Sequence, residues 1–264
     1  MPITLSTTIM HTMITAPALA TGRMNIAMGE AAATAQHRTA AYAGEGSAQA
    51  LVRLAAWLSP AFPVGAFAYS GGLEQAIRSG AIRNTEGLQD WLSAMIGHGQ
   101  SWNDAVLLAE AYRCVADQEK LTALSELAEA MSGGRERHLE VMSLGEAFLA
   151  AAAAWPHPAL EALAGRAAYP VAVGAVAGVH RTGLQAAIAA YLQAQVATLT
   201  SVAIRCSLIG QRHAVALLAA LEPLSLAQAA RAADSRLDDL GTATLLADMA
   251  SLAHETLQPR LFRS

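Results

Sequence analysis

Ser59-Pro-Ala-Phe-Pro-Val-Gly-Ala-Phe-Ala-Tyr-Ser-Gly-Gly-Leu-Glu-Gln-Ala76 interrupts a chain whose apolar residues otherwise recur with helical period. Pro60 and Pro63 fix their own φ and push Ser59 and Phe62 out of the helical region, so the apolar run from Leu51 to Leu58 must end there as a helix. Gly65 and Gly71-Gly72 open backbone conformations closed to other residues. Leu73 to Ile77 then begins a second helix carrying Glu74 in its first turn. Phe62, Phe67 and Tyr69 all sit in this break, although the chain is only 5% aromatic. A loop of such fixed geometry is either a recognition element or a packed helix-to-helix corner.

Outward from that break the pattern is helical throughout. Asn84 or Thr85 caps a helix with the stripe Leu88, Trp91, Leu92, Met95 and Ile96, stopped by Gly97 and Gly99. The next helix starts near Asn103-Asp104. The following one carries Leu121, Leu124, Leu127 and Met131 and ends at a Gly133-Gly134 C-cap. Arg135 to Ala154, Ala159 to Gly165, Pro170 to Val179, a long segment from Thr182, and Gln211 to Leu221 read as further helices. Pro223 closes the last of these, Ser225-Leu-Ala-Gln228 is a capping box opening another, and a final helix runs from about Thr242 to Ala253. No segment alternates with period two and no βαβ spacing occurs, so the fold class is all-α: a single compact helical domain of about ten helices over 48–264. Residues 1–47, rich in Thr, Ala, Met and Gly and without sustained period, read as a flexible N-terminal extension.

With 17 basic and 21 acidic residues the net charge is −4, which leaves no basic excess for phosphates and excludes nucleic acid as the expected partner. Charged residues are 14% of the chain against about 25% in a typical soluble domain. That scarcity fits either a surface partly covered by another protein or a merely alanine-rich composition. Cys114 and Cys206 lie far apart in helical patterns and are expected to pack as small buried hydrophobes. The uncharged window Thr182 to Ile204 holds too many polar groups for a lipid-facing span, and its stripe Leu184, Ile188, Tyr191, Leu192, Val196 and Leu199 reads as a core helix. The first 22 residues lack the basic start and continuous apolar run of a secretory signal, so the protein is expected in the cytoplasm with no membrane partner.

A catalytic reading finds little to work with. Ala68-Tyr-Ser-Gly-Gly72 distantly follows the Gly-x-Ser-x-Gly nucleophile elbow of serine hydrolases, with Asp248 and His254 in the right chain order, but that elbow needs a strand before it and a parallel sheet to hold it. No phosphate-binding Gly-x-x-x-x-Gly-Lys-Ser/Thr loop occurs. The eight histidines fall at no metal-ligand spacing, so neither a cofactor nor a metal is expected.

The segment Leu58 to Ala76 resembles the N-terminal signature of the urease accessory protein UreF family. Ser59, Pro60, Phe62, Pro63, Val64, Gly65, Ala66, Phe67, Tyr69, Ser70, Gly72, Leu73, Glu74 and Ala76 fall in step, while Ala68 departs where the family commonly has Ser. Arg135-Glu-Arg137 through Gly145 is similar to a family helix rich in Arg and Glu. Ile204 to Gln211 is similar to a family turn ending in Leu-Gly-Gln. The tail is the stronger match, with His254, Glu255, Thr256, Arg260, Leu261, Phe262, Arg263 and Ser264 in family positions and Leu257, Gln258 and Pro259 departing. The resemblance covers about Ala48 to Ser264.

This resemblance implies a non-catalytic, homodimeric scaffold that joins the accessory protein UreD (or UreH), recruits the GTPase UreG and presents it to apo-urease for GTP-dependent nickel incorporation. It also admits a GTPase-activating role toward UreG, with Arg205 and Arg135 as candidate arginines. Pro63, Gly65, Phe67, Tyr69, Ser70, Gly72, Glu74, Arg205, Gln211, His254, Glu255, Thr256, Arg260, Leu261, Phe262 and Arg263 are the expected partner-binding residues. The tail from Leu257, with nearby residues of the last helix, is the expected UreD contact. A tail with Leu261 and Phe262 between Arg260 and Arg263 either docks on a partner as an apolar anchor or folds back on its own domain.

Overall fold

Residues 48–163 and 165–264 are described in the computed structural model, and the extension expected over 1–47 lies outside them. Their α-helices, in chain order, are α1 (Ala48–Trp57), α2 (Leu73–Arg78), α3 (Thr85–His98), α4 (Gln100–Cys114), α5 (Gln118–Ala130), α6 (Arg135–Ala152), α7 (Tyr169–Val179), α8 (Leu184–Arg205), α9 (Gln211–Asp234) and α10 (Leu245–His254). Short 3₁₀ turns occupy Ala66–Ala68, Pro158–Leu163 and Leu237–Asp239, and no strand occurs among the described residues. The all-α class read from the sequence is the observed one.

The core is built around α7. Its sequence Tyr-Pro-Val-Ala-Val-Gly-Ala-Val-Ala-Gly-Val is apolar on every face, and a helix of that kind is stable only when surrounded. Pro170 in the first turn sets φ for the helix at no cost in hydrogen bonds, and Pro170 through Ala177 are all buried. α4 and α6 pack against α7 on two sides, and α8 and α9, joined by 206–210, pack along one another beside them. α3 begins as expected, with Asn84 Oδ1 accepting the Gly87 amide at 2.9 Å. The window expected from Thr182 is α8, with Ile188, Tyr191, Leu192 and Val196 in the core. α8 and α9 are both long and apolar enough to cross a membrane by length and composition alone, but each spends its inner face on neighbouring helices. Cys114 is buried and Cys206 half-buried, both as free thiols.

Three boundary expectations are corrected. α4 starts at Gln100 rather than near Asn103, because the extended Gly99 closes α3 and opens α4 directly. Gly134 is not a left-handed C-cap: its φ of −162° is extended, and it caps the start of α6. Pro223 does not end a helix, since Gln211–Asp234 runs through it as one element. The proline removes one ladder donor, but Leu217, Leu221, Ser225 and Ala229 form a buried stripe spanning the break, and burial of that face outweighs a single lost bond. Ser225 accordingly lies in the core, and its hydroxyl finds no hydrogen-bond partner instead of capping a new helix.

Pro223→Ala should therefore stabilise the fold. It restores an amide that can bond the carbonyl of Ala219, and the interior-proline penalty of about 3 kcal/mol is offset only by roughly 0.4–1 kcal/mol of regained freedom in the unfolded chain. A rise in thermal midpoint is expected. A fall would show that the proline sets a bend that the buried stripe of α9 requires.

Candidate functional site

The signature loop and the C-terminal tail, read from sequence as two separate elements, form one structure. The loop leaves α1 at Pro60, turns through the left-handed Gly65 (φ 80°) into the 3₁₀ turn, and enters α2 through Gly71 (φ 58°) and Gly72 (φ 80°). At Gly72 a Cβ would come within 2.5 Å of the backbone nitrogen of Ser251, so the start of α2 lies directly on α10 and only glycine fits. Pro63 and Phe67 face outward, while Tyr69, Ser70, Gly72 and Glu74 are buried.

The tail closes over this loop. The Arg263 amide donates to Ala68 O at 2.7 Å, and the Ser70 amide donates to Ser264 O at 2.8 Å, with the Ser70 hydroxyl on the same oxygen. The Gly71 amide reaches Ser264 Oγ at 3.3 Å. Phe262 is only 3% exposed, and the Arg205 guanidinium lies 4.1 Å from its ring centroid while donating to Phe67 O at 2.6 Å. The tail thus folds back on its own domain through Phe262 and Ser264. Leu261, 62% exposed, is the apolar residue that the tail leaves outside.

Beneath the tail lies a buried ionic cluster. His254 ends α10 between two carboxylates, with Nδ1 2.7 Å from Glu136 Oε2 and Nε2 3.1 Å from Glu74 Oε2. All three side chains are essentially shut off from solvent. Glu74 also accepts the amides of Leu261 (2.9 Å) and Phe262 (3.1 Å), while Arg260 donates to Glu136 and Arg78 to Pro259 O. Burial would push the Glu74 carboxyl up, but the tail amides and His254 outweigh it and hold it below its ordinary range. Glu255 accepts the Glu136 amide at 3.3 Å, and Thr256 donates to Ala253 O, so both serve the junction of α10 with the tail. Gln211 stands apart, exposed at the start of α9.

A second cluster was not read from the sequence. Arg137 Nη2 lies 2.8 Å from each oxygen of Asp104, which also accepts Tyr191 Oη and Gln195 Nε2 at 3.0 Å. Glu140, 3.6 Å from Arg137, accepts the Ser264 hydroxyl at 3.3 Å and so links this cluster to the tail. Burial pushes the Glu140 carboxyl up despite Arg137. These groups floor a cleft of about 270 Å³ whose rim includes Phe62, Phe67 and Trp91.

The hydrolase constellation is not assembled. Ser70 Oγ is bound to Ser264 O, and His254 presents one ring nitrogen to each glutamate. Nor does the His254 cluster form a metal cradle, because its carboxylates sit on opposite edges of the ring. Among the described residues no group of three or more His, Cys, Asp or Glu side chains is placed to hold a metal ion.

The UreF family profile matches residues 82–222, from the approach to α3 into α9. The chain belongs to the UreF family. A urease accessory protein UreF of Sinorhizobium medicae (strain WSM419) is 58% identical over 208 residues, 79% of this chain and 93% of that protein. The Rhizobium meliloti (strain 1021) UreF is 59% identical with the same coverage, and a UreF 1 of Brucella canis (strain ATCC 23365 / NCTC 10854 / RM-666) is 53% identical over 79% of this chain and 91% of its own length. The profile match falls between the signature loop and the tail, so it supports the UreF assignment independently of the two motifs that first suggested it.

Proposed function

We propose that this UreF protein is a non-catalytic cytoplasmic scaffold of urease maturation, working as a homodimer that joins UreD (UreH), recruits the GTPase UreG and presents it to apo-urease for nickel incorporation. The observation that carries the reading is the outer face of α10. Leu245 (71% exposed), Leu246 (73%), Met249 (56%) and Leu252 (52%) project from one side of a ten-residue helix whose other side, Ala247 and His254, is buried. An isolated leucine on a surface needs no explanation, but four large apolar side chains on three turns form a patch suited to burial against a partner. Phe67 (71% exposed) and Leu261 (62%) add apolar groups on the loop and tail that pack with that helix. In this reading the UreD contact is made by α10 with Leu261, while the buried Phe262 supports it from inside.

The test is co-purification of the full-length chain with UreD and UreG, comparing the parent with a Leu246→Asp/Met249→Asp double variant. Both side chains are exposed, so the thermal midpoint should stay unchanged while UreD is lost. Retention of UreD by the double variant would remove α10 from the interface. Truncation after Thr256 is a poorer test, since it would strip Glu74 of two amide donors and unfold the junction itself.

A GTPase-activating role is the second reading. Arg205 is engaged by Phe67 O and the Phe262 ring, whereas the Arg135 side chain is 77% exposed at the start of α6. In the assembled complex, Arg135→Ala separates the two: a scaffold leaves GTP turnover by UreG intact, and an activating arginine abolishes its stimulation.

A further inference from the structure

We propose that the Glu74–His254–Glu136 cluster is a two-proton latch, which holds the C-terminal segment docked while both protons are present and releases it when one is lost. The proposal concerns the chain's own tail and holds whichever partner meets α10.

The proton count follows from geometry. Each ring nitrogen of His254 faces a carboxylate oxygen, at 2.7 Å and 3.1 Å, and each contact is attractive only with a proton between the two atoms. Glu74 Oε2 already accepts two main-chain amides and Glu136 Oε1 accepts Arg260, so both carboxylates act as ionised acceptors and the ring supplies both protons. The imidazolium and Arg260 then balance the two glutamates.

Other facing groups do not alter this balance. On α2, Arg78 lies 3.8 Å from Glu74 but is partly exposed and turned to Pro259 O. On α6, Arg135 is largely exposed and lies 3.8 Å from Glu255 rather than against the cluster, while Arg137 and Glu140 belong to the Asp104 cluster. Beyond the end of α8, burial and the neighbouring Glu74 push the Cys206 thiol up to about 11, so it stays neutral.

Removal of one proton leaves a lone pair facing a carboxylate in a site where His254 is 0% exposed, and an uncompensated negative charge beside it. Lifting the segment that covers them lets water reach these groups. The segment is tied to the cluster by Arg260 and by the Leu261 and Phe262 amides, so the same movement frees Phe262 from Arg205 and Ser264 from Ser70.

The sign is set by which form is docked. Docking depends on a group that must be protonated, so its contribution is present at lower pH and is lost as the pH rises through the titration of the cluster. Glu74 has a lowered pKa, so its contribution is present above the ordinary carboxylate range and is lost only as the pH falls through that lowered value. The tail is thus held over a window bounded on both sides.

The experiment is amide hydrogen exchange by NMR on the full-length chain over about pH 5 to 8, the range of histidine switches. Protection factors, corrected for intrinsic exchange, are read at Leu261 and Phe262 and at Val173 in the core. Protection at the two tail amides should fall at least about tenfold toward the alkaline end while that of Val173 holds. The ¹⁵N shifts of the His254 ring should report two protonated nitrogens wherever the tail amides are protected and one wherever they are not. In Glu136→Gln the side-chain amide can turn its NH₂ toward Nδ1 and satisfy a neutral ring, so the pH dependence should disappear. Flat protection in the parent, parallel loss at Val173, or an unchanged pH response in Glu136→Gln would each overturn the latch.

Discussion

Glu74→Ala is expected to destabilise the fold by about 3–5 kcal/mol, the range for removing one partner of a buried ion pair. Glu74 is 1% exposed, and its carboxylate is the common acceptor for the Leu261 and Phe262 amides and for His254 Nε2. Alanine deletes the acceptor without admitting water, so buried donors and a buried charge lose their partner together. Arg78 also loses its neighbouring carboxylate, but it is partly exposed and adds little. Glu74→Gln should cost less, since it keeps one acceptor oxygen for a tail amide. Urea denaturation with the m-value held in view measures both, because tail release in the native state would lower m as well as the midpoint. A loss below about 1 kcal/mol for Glu74→Ala would show that the cluster is solvated in solution and that the tail is not anchored there.

The helices were legible because local signals specify them. Two prolines and two paired glycines marked the break after α1, Asn84 marked the start of α3, and apolar period traced α8. The failures were also local. Pro223 and the sequence Ser225 to Gln228 carry a stop and a start that the buried stripe of α9 overrides, and nothing within four residues of Pro223 reveals that stripe's contact with α8. Gly99 ends one helix and begins the next with no spacer, a junction that a search for a side-chain cap at Asn103 misses.

The site was legible in its parts and not in its assembly. Glu74, His254, Arg260 and Phe262 were singled out, but no sequence signal pairs residues separated by 180 positions. The one available clue was chemical. Glu74 stands in an apolar stretch where a carboxylate needs several donors, and the tail is where His, Arg and free amides gather. Asp104, Arg137 and Tyr191 lay on three different helices, each plausible as an ordinary surface or core residue, and only their convergence gives them meaning.

Gly145→Ala should be the most damaging single-methyl addition to α6, and it isolates a constraint that burial alone does not show. A Cβ at this position would overlap the carbonyl oxygen of Ala167 and lie 2.9 Å from the Tyr169 nitrogen. Both are backbone atoms at the entry to α7, and neither can rotate aside, so α6 must move away from the central helix. That movement opens the packing of Phe148 on Tyr169, whose ring centroids are 5.7 Å apart, and of Tyr169 on Tyr191 above the Asp104 cluster. Overpacking of a core costs typically about 1–3 kcal/mol and more where backbone must shift, so a net loss near or above 3 kcal/mol is expected even after alanine's helix preference returns up to about 1 kcal/mol. Gly97 in α3 supplies the control, because a Cβ there meets only Gln228 Nε2 at 3.9 Å, an ordinary contact. Gly97→Ala should thus be neutral or stabilising by about 0.5–1 kcal/mol. Denaturant midpoints of opposite sign for the same chemical change would show that close approach of backbones, rather than glycine's flexibility, fixes residue 145. Equal and small effects would mean that α6 can slide, and with it the floor of the cleft.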